Sequence, residues 1–272
     1  GCAKLAGALR DQQLLARLGA ADAGVVTPPR YVPDWAPGWG VRNGSALAGY
    51  TSRLADRIGR LLDQGAFPVV LGGDCSILLG AALALRRRGR YGLAFLDGHS
   101  DFRHLGNAPA VGAAAGEDLA LVTGRGHDDL VNIDGLRPYV ADADIAVLGI
   151  RDDDEYAAEL AAFDIHTAAA TTCRTGPATA AASALARLTR HGLAGYWVHL
   201  DVDVLDPTVM PAVDSPDPGG LDWPDLRGLL GPLLAHPGAV GLQITVFDPD
   251  LDPDGRLATT LADLLVDVVH RR

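Results

Sequence analysis

Asp97, His99 and Asp101 stand at every second position directly after the apolar residues Phe95-Leu96. In an extended backbone, residues two apart point to the same side, so these three side chains can converge where a strand ends. Two carboxylates and an imidazole suit a hard or borderline divalent cation such as Mn²⁺ or Mg²⁺, and Zn²⁺ also fits. One acidic turn of this kind is commonly only solvated. Here it has company. Asp201 and Asp203 repeat the alternation after Tyr196–Leu200, Asp152 follows Ile145–Ile150, and Gly72-Gly73-Asp74-Cys75-Ser76 follows Phe67–Leu71.

Those positions depend on the elements between them. Short apolar runs predict strands over Phe67–Leu71, Leu93–Leu96, Ile145–Ile150, Tyr196–Asp201 and Val240–Phe247. Spacing of the 3.6 type predicts helices over Ser45–Asp63, Ile77–Arg87, Glu155–Ala162, Pro177–Thr189, Trp223–Leu234 and Leu257–Val269. The alternation implies an α/β fold, a three-layer αβα arrangement whose central sheet is mostly parallel. In such sheets functional groups gather beyond the carboxyl ends of the strands. Asp97, Asp101, Asp152, Asp201 and Asp203 would then meet at one edge with His99 and Cys75. Carboxylates so close resist ionising together, and a pair of divalent cations is the simple remedy. Thr27–Gly44 and Pro207–Leu221 read as long ordered loops, and nothing in the chain reads as a domain linker.

Composition narrows the partners. The 272 residues are 48% hydrophobic and 21% charged, ordinary for one large globular unit. A formal net charge of -11 argues against nucleic acid or an anionic membrane as a partner. Three scattered cysteines make no disulfide framework, and no run approaches a membrane span. The expectation is a cytoplasmic protein that acts on a small molecule.

The motifs together resemble the ureohydrolases, a family that comprises arginase, agmatinase, formimidoylglutamase and relatives. The matching stretches are Gly72-Gly73-Asp74-Cys75-Ser76, Asp97-Gly98-His99-Ser100-Asp101 and His199-Leu200-Asp201-Val202-Asp203-Val204-Leu205-Asp206-Pro207. Gly149-Ile150-Arg151-Asp152-Asp153-Asp154 and Pro211–Leu221 are similar as well. The resemblance implies a hydrolase of linear carbon–nitrogen bonds in guanidino- or amidine-type molecules. It implies one Mn²⁺ held by Cys75, Asp97, Asp101 and Asp201, and a second held by Asp97, His99, Asp201 and Asp203. A hydroxide between the metals would attack the amidine carbon. Asp152 and Asp154 fall where relatives contact the amino-acid end of the substrate, and Asn107 and Ser215 join them as expected substrate contacts. Asp206 would shape a turn. A homo-oligomer, trimer or hexamer, is also implied.

Three positions depart from the family pattern. Cys75 stands where relatives carry a histidine; it reads either as a thiolate ligand, better suited to Zn²⁺ or Fe²⁺, or as a buried residue that binds nothing. Val246 stands at the position of a glutamate that grips the guanidinium. Val111 stands near the position of the proton-transfer histidine, with His104 and His127 as neighbouring candidates. A catalytically impaired metal- or ligand-binding protein is therefore the rival reading. The chain also begins late relative to the family. One arginase-like domain over residues 1–272 is expected, and whether its first strand is missing is left open.

Overall fold

Unbroken apolar runs such as Leu93-Ala94-Phe95-Leu96 fold as strands buried on both faces, because helices cover the sheet on either side. The structure, a computed structural model, describes residues 1–108, 110 and 112–272. Among these, β1 (Val69–Leu71), β2 (Gly92–Leu96), β3 (Ile145–Leu148), β4 (His166–Ala168), β5 (Tyr196–Asp201) and β6 (Ala239–Thr245) form one sheet. Its order is β1-β6-β5-β2-β3-β4, and every neighbouring pair is parallel. The expected α/β architecture is thus observed.

Alternate residues of each strand feed different layers. Leu93 and Phe95 of β2 and Trp197 of β5 pack against α3 (Gly44–Asp63), α4 (Leu78–Arg86), α5 (Asp118–Val122) and α6 (Asp128–Val131). Ala94, Leu96, Val198 and Leu200 pack on the opposite layer. That layer holds α1 (Leu5–Asp11), α2 (Leu14–Leu18), α8 (Ala170–Thr175), α9 (Pro177–Leu188), α10 (Trp223–Ala235) and α11 (Arg256–Val269). The short α7 (Ala157–Ala162) leads into the edge strand β4. Trp197 explains one glycine. A Cβ on Gly241, its register partner in β6, would come within 2.0 Å of the indole, so only glycine leaves room for the ring.

Several boundaries move for local reasons. β1 begins two residues later than the apolar run suggests, since Pro68 offers only its carbonyl, which accepts from Leu242 N at 3.0 Å. α1 and α2 are separated by a break at Gln13, which has φ +60°. β3 stops at Leu148 because Gly149 takes φ +98°. β6 stops at Thr245 because Val246 takes φ +74°. A β-branched side chain in that region is strained by about 1–3 kcal/mol, and a buried site normally holds it there. β4 has no counterpart in the expected strands.

Candidate metal centre

Strand register sets the first contact. β2 and β5 pair Leu96 with Leu200, so the next residues out, Asp97 and Asp201, leave the sheet side by side. Each caps its own tight turn: Asp97 Oδ1 accepts from His99 N at 2.7 Å, and Asp201 Oδ1 accepts from Asp203 N at 2.7 Å. These Asx-type bonds turn the chain back over the strand ends. They set His99 Nδ1 3.0 Å from Asp203 Oδ2. Cys75 arrives from the turn after β1. Its Sγ lies 2.6 Å from Asp201 Oδ2 and 3.1 Å from Thr245 Oγ1 at the end of β6.

Three groups of potential ligands result: Asp97, His99 and Asp203; Cys75, Asp97, His199 and Asp201; and Cys75, Asp101 and Asp118. Within each group the ligating atoms all lie within 4.8 Å of one another. Asp97 is common to the first two and Cys75 to the last two. A cavity of about 300 Å³ opens beside them, lined among others by His99, Asp101, Arg103, Asp154, Glu155 and Asp217.

His199 had no role assigned from the sequence, although it precedes Asp201 by two residues on the same strand. The ring is fully buried and stacks on Phe95 with centroids 4.7 Å apart. Burial pulls its pKa down to about 3, so it is neutral. Trp197 Nε1–H donates to Gln243 Oε1 at 3.0 Å, which turns the Gln243 amide nitrogen toward His199 Nδ1 at 2.7 Å. Nδ1 therefore accepts, and the proton sits on Nε2. That nitrogen faces Asp97 Oδ2 at 3.8 Å and has no hydrogen-bond partner among the described residues. A protonated nitrogen cannot ligate, so in this tautomer His199 lies beside Asp97 and not on a cation.

The residues fit divalent cations. Asp97 Oδ2 and both Asp118 oxygens are buried without a hydrogen-bond partner among the described residues. Orphaned oxygens of this kind are costly without a positive neighbour. Burial first, then Asp101, Asp201 and Asp203, push the Asp97 carboxyl well above its ordinary range. Burial and Asp203 do the same to Asp201. Asp101 is pushed up to about 7 by burial and Asp203. Burial also works against ionised Asp203, but the hydrogen bond and charge of His99 outweigh it and lower its pKa. Asp97, His99 and Asp203 form a hard oxygen and nitrogen set suited to Mn²⁺. Cys75 adds a soft donor, and burial together with Asp201 holds its thiol protonated while no cation displaces the proton.

A pH dependence follows for the metal-free protein. Asp101 is held near 7 in the fold against an ordinary 3.8, so between those values the folded chain carries more protons than the unfolded one. Stability is fullest below about pH 4 and is lost as pH rises through about 7. Chelated protein is expected to melt at a lower temperature near pH 8 than near pH 5, with Mn²⁺ reversing the order. A metal-free melting temperature that climbs over this range would contradict the assignment.

The remaining expected site residues are placed as follows. Asp154 accepts from Ser100 N at 2.9 Å and from Tyr156 N at 2.9 Å, which ties the turns after β2 and β3 together at the cavity wall. Asp152 is exposed, with Oδ2 accepting from Thr171 Oγ1 at 2.6 Å. Asn107 Nδ2 donates to Phe102 O at 3.0 Å and to Glu159 Oε2 at 2.8 Å. Ser215 is exposed in the loop after β5. Asp206 accepts from Thr208, Gly219 and Gly220, and these bonds lower its pKa to about 2. Val246 is buried among core residues, and its carbonyl accepts from Cys2 Sγ at 3.0 Å. His104 pairs with Glu159 at 3.0 Å. Val111 lies outside the described residues.

Comparison with known proteins agrees with this geometry. A sequence model of the Arginase family matches residues 4–270. An arginase of Bacillus subtilis (strain 168) is 28% identical over 236 residues, covering 84% of this chain and 77% of the relative. A formimidoylglutamase of Nocardia farcinica is 31% identical over 237 residues, covering 84% of this chain and 69% of the relative. The crystal structure of an arginase from Bacillus cereus superposes with a TM-score of 0.88 at 25% identity, covering 100% of this chain and 93% of that one.

Proposed function

Because this chain belongs to the Arginase family of hydrolases, we propose that it is a metal-dependent hydrolase that cleaves a linear carbon–nitrogen bond in a guanidino- or amidine-type small molecule. The observation that carries this reading is the placement of Asp97. It is shared by two ligand-bearing groups at the strand ends, beside an acidic cavity of about 300 Å³. Asp97 and Asp203 would hold one cation with His99, and Cys75, Asp97 and Asp201 would hold the other. Mn²⁺ suits the first set, and Zn²⁺ or Fe²⁺ suits the thiol-bearing one. When bound, a pair of divalent cations supplies hydroxide near neutral pH and polarises the carbon under attack.

The chain's own residues supply binding and orientation. Asp153, Glu155 and Asp217 line the cavity with Asp101 and draw a cationic amidine toward the strand ends. Arg103 lies on the same wall and offers a guanidinium to a carboxylate elsewhere on the substrate. The Trp197–Gln243–His199 chain holds the imidazole in place behind Asp97. A second reading, ligand binding without turnover, is favoured by one observation: Cys75 sits as a thiol bonded to Asp201 where a cation would lie.

Protein purified without chelator is expected to carry one or two manganese, zinc or iron ions per chain by elemental analysis. It is then expected to release urea, ammonia or formamide from one of arginine, agmatine, guanidinobutyrate, guanidinopropionate or formimidoylglutamate. Bound metal with no product from any of them would favour the second reading. No bound metal even after reconstitution would sink the hydrolase reading. The family reading also carries an expectation of trimers or hexamers, which sedimentation velocity reads directly. Among the described residues, no helix is long and apolar enough to cross a membrane.

A further inference from the structure

One buried carboxylate of the third ligand group has no role in the expected ligand sets or in the proposed function. Asp118 is fully buried at the start of α5, and neither of its oxygens has a hydrogen-bond partner among the described residues. It comes from a segment more than a dozen residues beyond the turn after β2, yet it points into that turn. Its ligating oxygen lies within 4.8 Å of both Cys75 Sγ and an Asp101 oxygen. Asp101 itself takes φ +45°, an uncommon conformation that aspartate tolerates better than most residues. The charged groups that bear on Asp118 most are Asp101 and Asp201, both of its own sign. A carboxylate in this position, dry and facing other carboxylates, has no cation among the groups that bear on it most to offset its burial.

We propose that Asp118 is a metal ligand, and that with Asp101 and Cys75 it completes the site for a first-row divalent cation beside Asp97 and Asp201. This rests on the metal-hydrolase reading above and adds a ligand to it. The charge count favours it. Asp97, Asp101, Asp118, Asp201 and Asp203 place five carboxylates together, and Arg151 is a buried cation built in beside them. With Arg151 counted, one divalent ion still leaves part of that charge uncompensated, whereas two balance it. The donor set also makes sense of Cys75. A second hard oxygen on that side lets the site hold Mn²⁺ or Fe²⁺ without relying on thiolate alone. The rival account is that Asp101 and Asp118 share a proton as a neutral pair with no cation.

The test is metal binding by chelated, refilled protein, read by calorimetry and elemental analysis with Mn²⁺ and Co²⁺, together with melting temperature. Wild type is expected to take up two ions per chain. Asp118→Asn is expected to take up one, with affinity at the other site changed less than about threefold. The amide removes charge without changing volume, so metal-free Asp118→Asn should melt at or above the wild type, and its gain on adding Mn²⁺ should be clearly smaller. Asp203→Asn is the complement, losing the ion at His99 and keeping the one at Asp118. If Asp118→Asn is insoluble, Asp118→Ala is read in the same way. Two ions bound by the Asp118 variant at wild-type affinity would overturn the ligand assignment while leaving the two-metal hydrolase intact. A variant destabilised equally with and without metal would show a structural role and overturn it too. No ion bound by wild type would overturn both readings together.

Discussion

Asp97→Ala is expected to remove both cations and lower turnover by about 10³-fold or more. The aspartate is the one side chain common to the His99 group and the Asp201 group, so its loss removes a ligand from each. Metal-generated hydroxide and carbonyl-type polarisation supply several kcal/mol of barrier lowering, and each ~1.4 kcal/mol is a factor of ten in rate. The metal-free fold should respond little. Asp97 is 1% exposed, its Oδ2 has no hydrogen-bond partner among the described residues, and burial and neighbouring carboxylates resist its ionisation. Against that, the bond from His99 N to Oδ1 is lost, at a net cost of about 1 kcal/mol. Metal-free Asp97→Ala should therefore melt near the metal-free wild type at neutral pH and gain nothing from Mn²⁺. Retained turnover, or two ions still bound, would refute the central placement of Asp97. A collapse of the metal-free protein would show that the aspartate holds the turn and not the metal.

The difference between Asp97 and Asp118 shows what kind of site residue a sequence makes visible. Asp97, His99, Asp101, Asp201 and Asp203 announce themselves because two-residue spacing after an apolar run has one meaning in a parallel sheet: same side, strand end. His199 obeys the same spacing, but its role depends on Gln243, its register partner in β6, which Trp197 of β5 orients and which sets its tautomer. That information lies in strand order, which the sequence does not print. Asp118 has no local signature at all. It sits in an alanine-rich stretch without two-residue alternation of ligand types, and only the packing of α5 against the turn after β2 gives it neighbours.

Acidic runs are ambiguous for a related reason. Asp152, Asp153 and Asp154 look alike in sequence, yet backbone N–H groups occupy both oxygens of Asp154 while Asp152 faces a threonine on the surface. Which carboxylate is free for a ligand depends on loop conformation. β4 was invisible for want of an apolar run: His166-Thr167-Ala168 is an edge strand paired on one side by β3.

Arg151→Met is expected to be the most destabilising single change at the site, by about 3–5 kcal/mol. Arg151 follows β3 and is 4% exposed. Its guanidinium donates to Asp203 O at 2.9 Å and, through Nη2 and Nε, to Asp217 O at 2.6 and 3.0 Å. Longer contacts reach the carbonyls of Val204 and Leu205 at 3.4 Å. One planar group thus pins the turn after β5 to the loop that carries Asp217, a geometry that lysine's single ammonium cannot reproduce. Gly98 shows how tight the fit is. A Cβ there would meet Arg151 Nη1 at 2.7 Å and Asp203 O at 2.7 Å, so the turn after β2 closes over the guanidinium only as glycine. Methionine fills the volume but leaves buried carbonyls without donors and removes the positive charge beside the carboxylates. For a chain of this size that loss lowers the melting temperature by roughly 10 °C. The turn that aims Asp203 at His99 also loosens, so metal affinity should fall by about 10–100-fold. Arg151→Lys separates the two causes, since it keeps the charge and loses the fork. If it restores stability fully, charge alone accounts for Arg151. If it restores metal affinity in part and melting temperature hardly at all, the fork holds the turn, and the cation site inherits its precision from that turn.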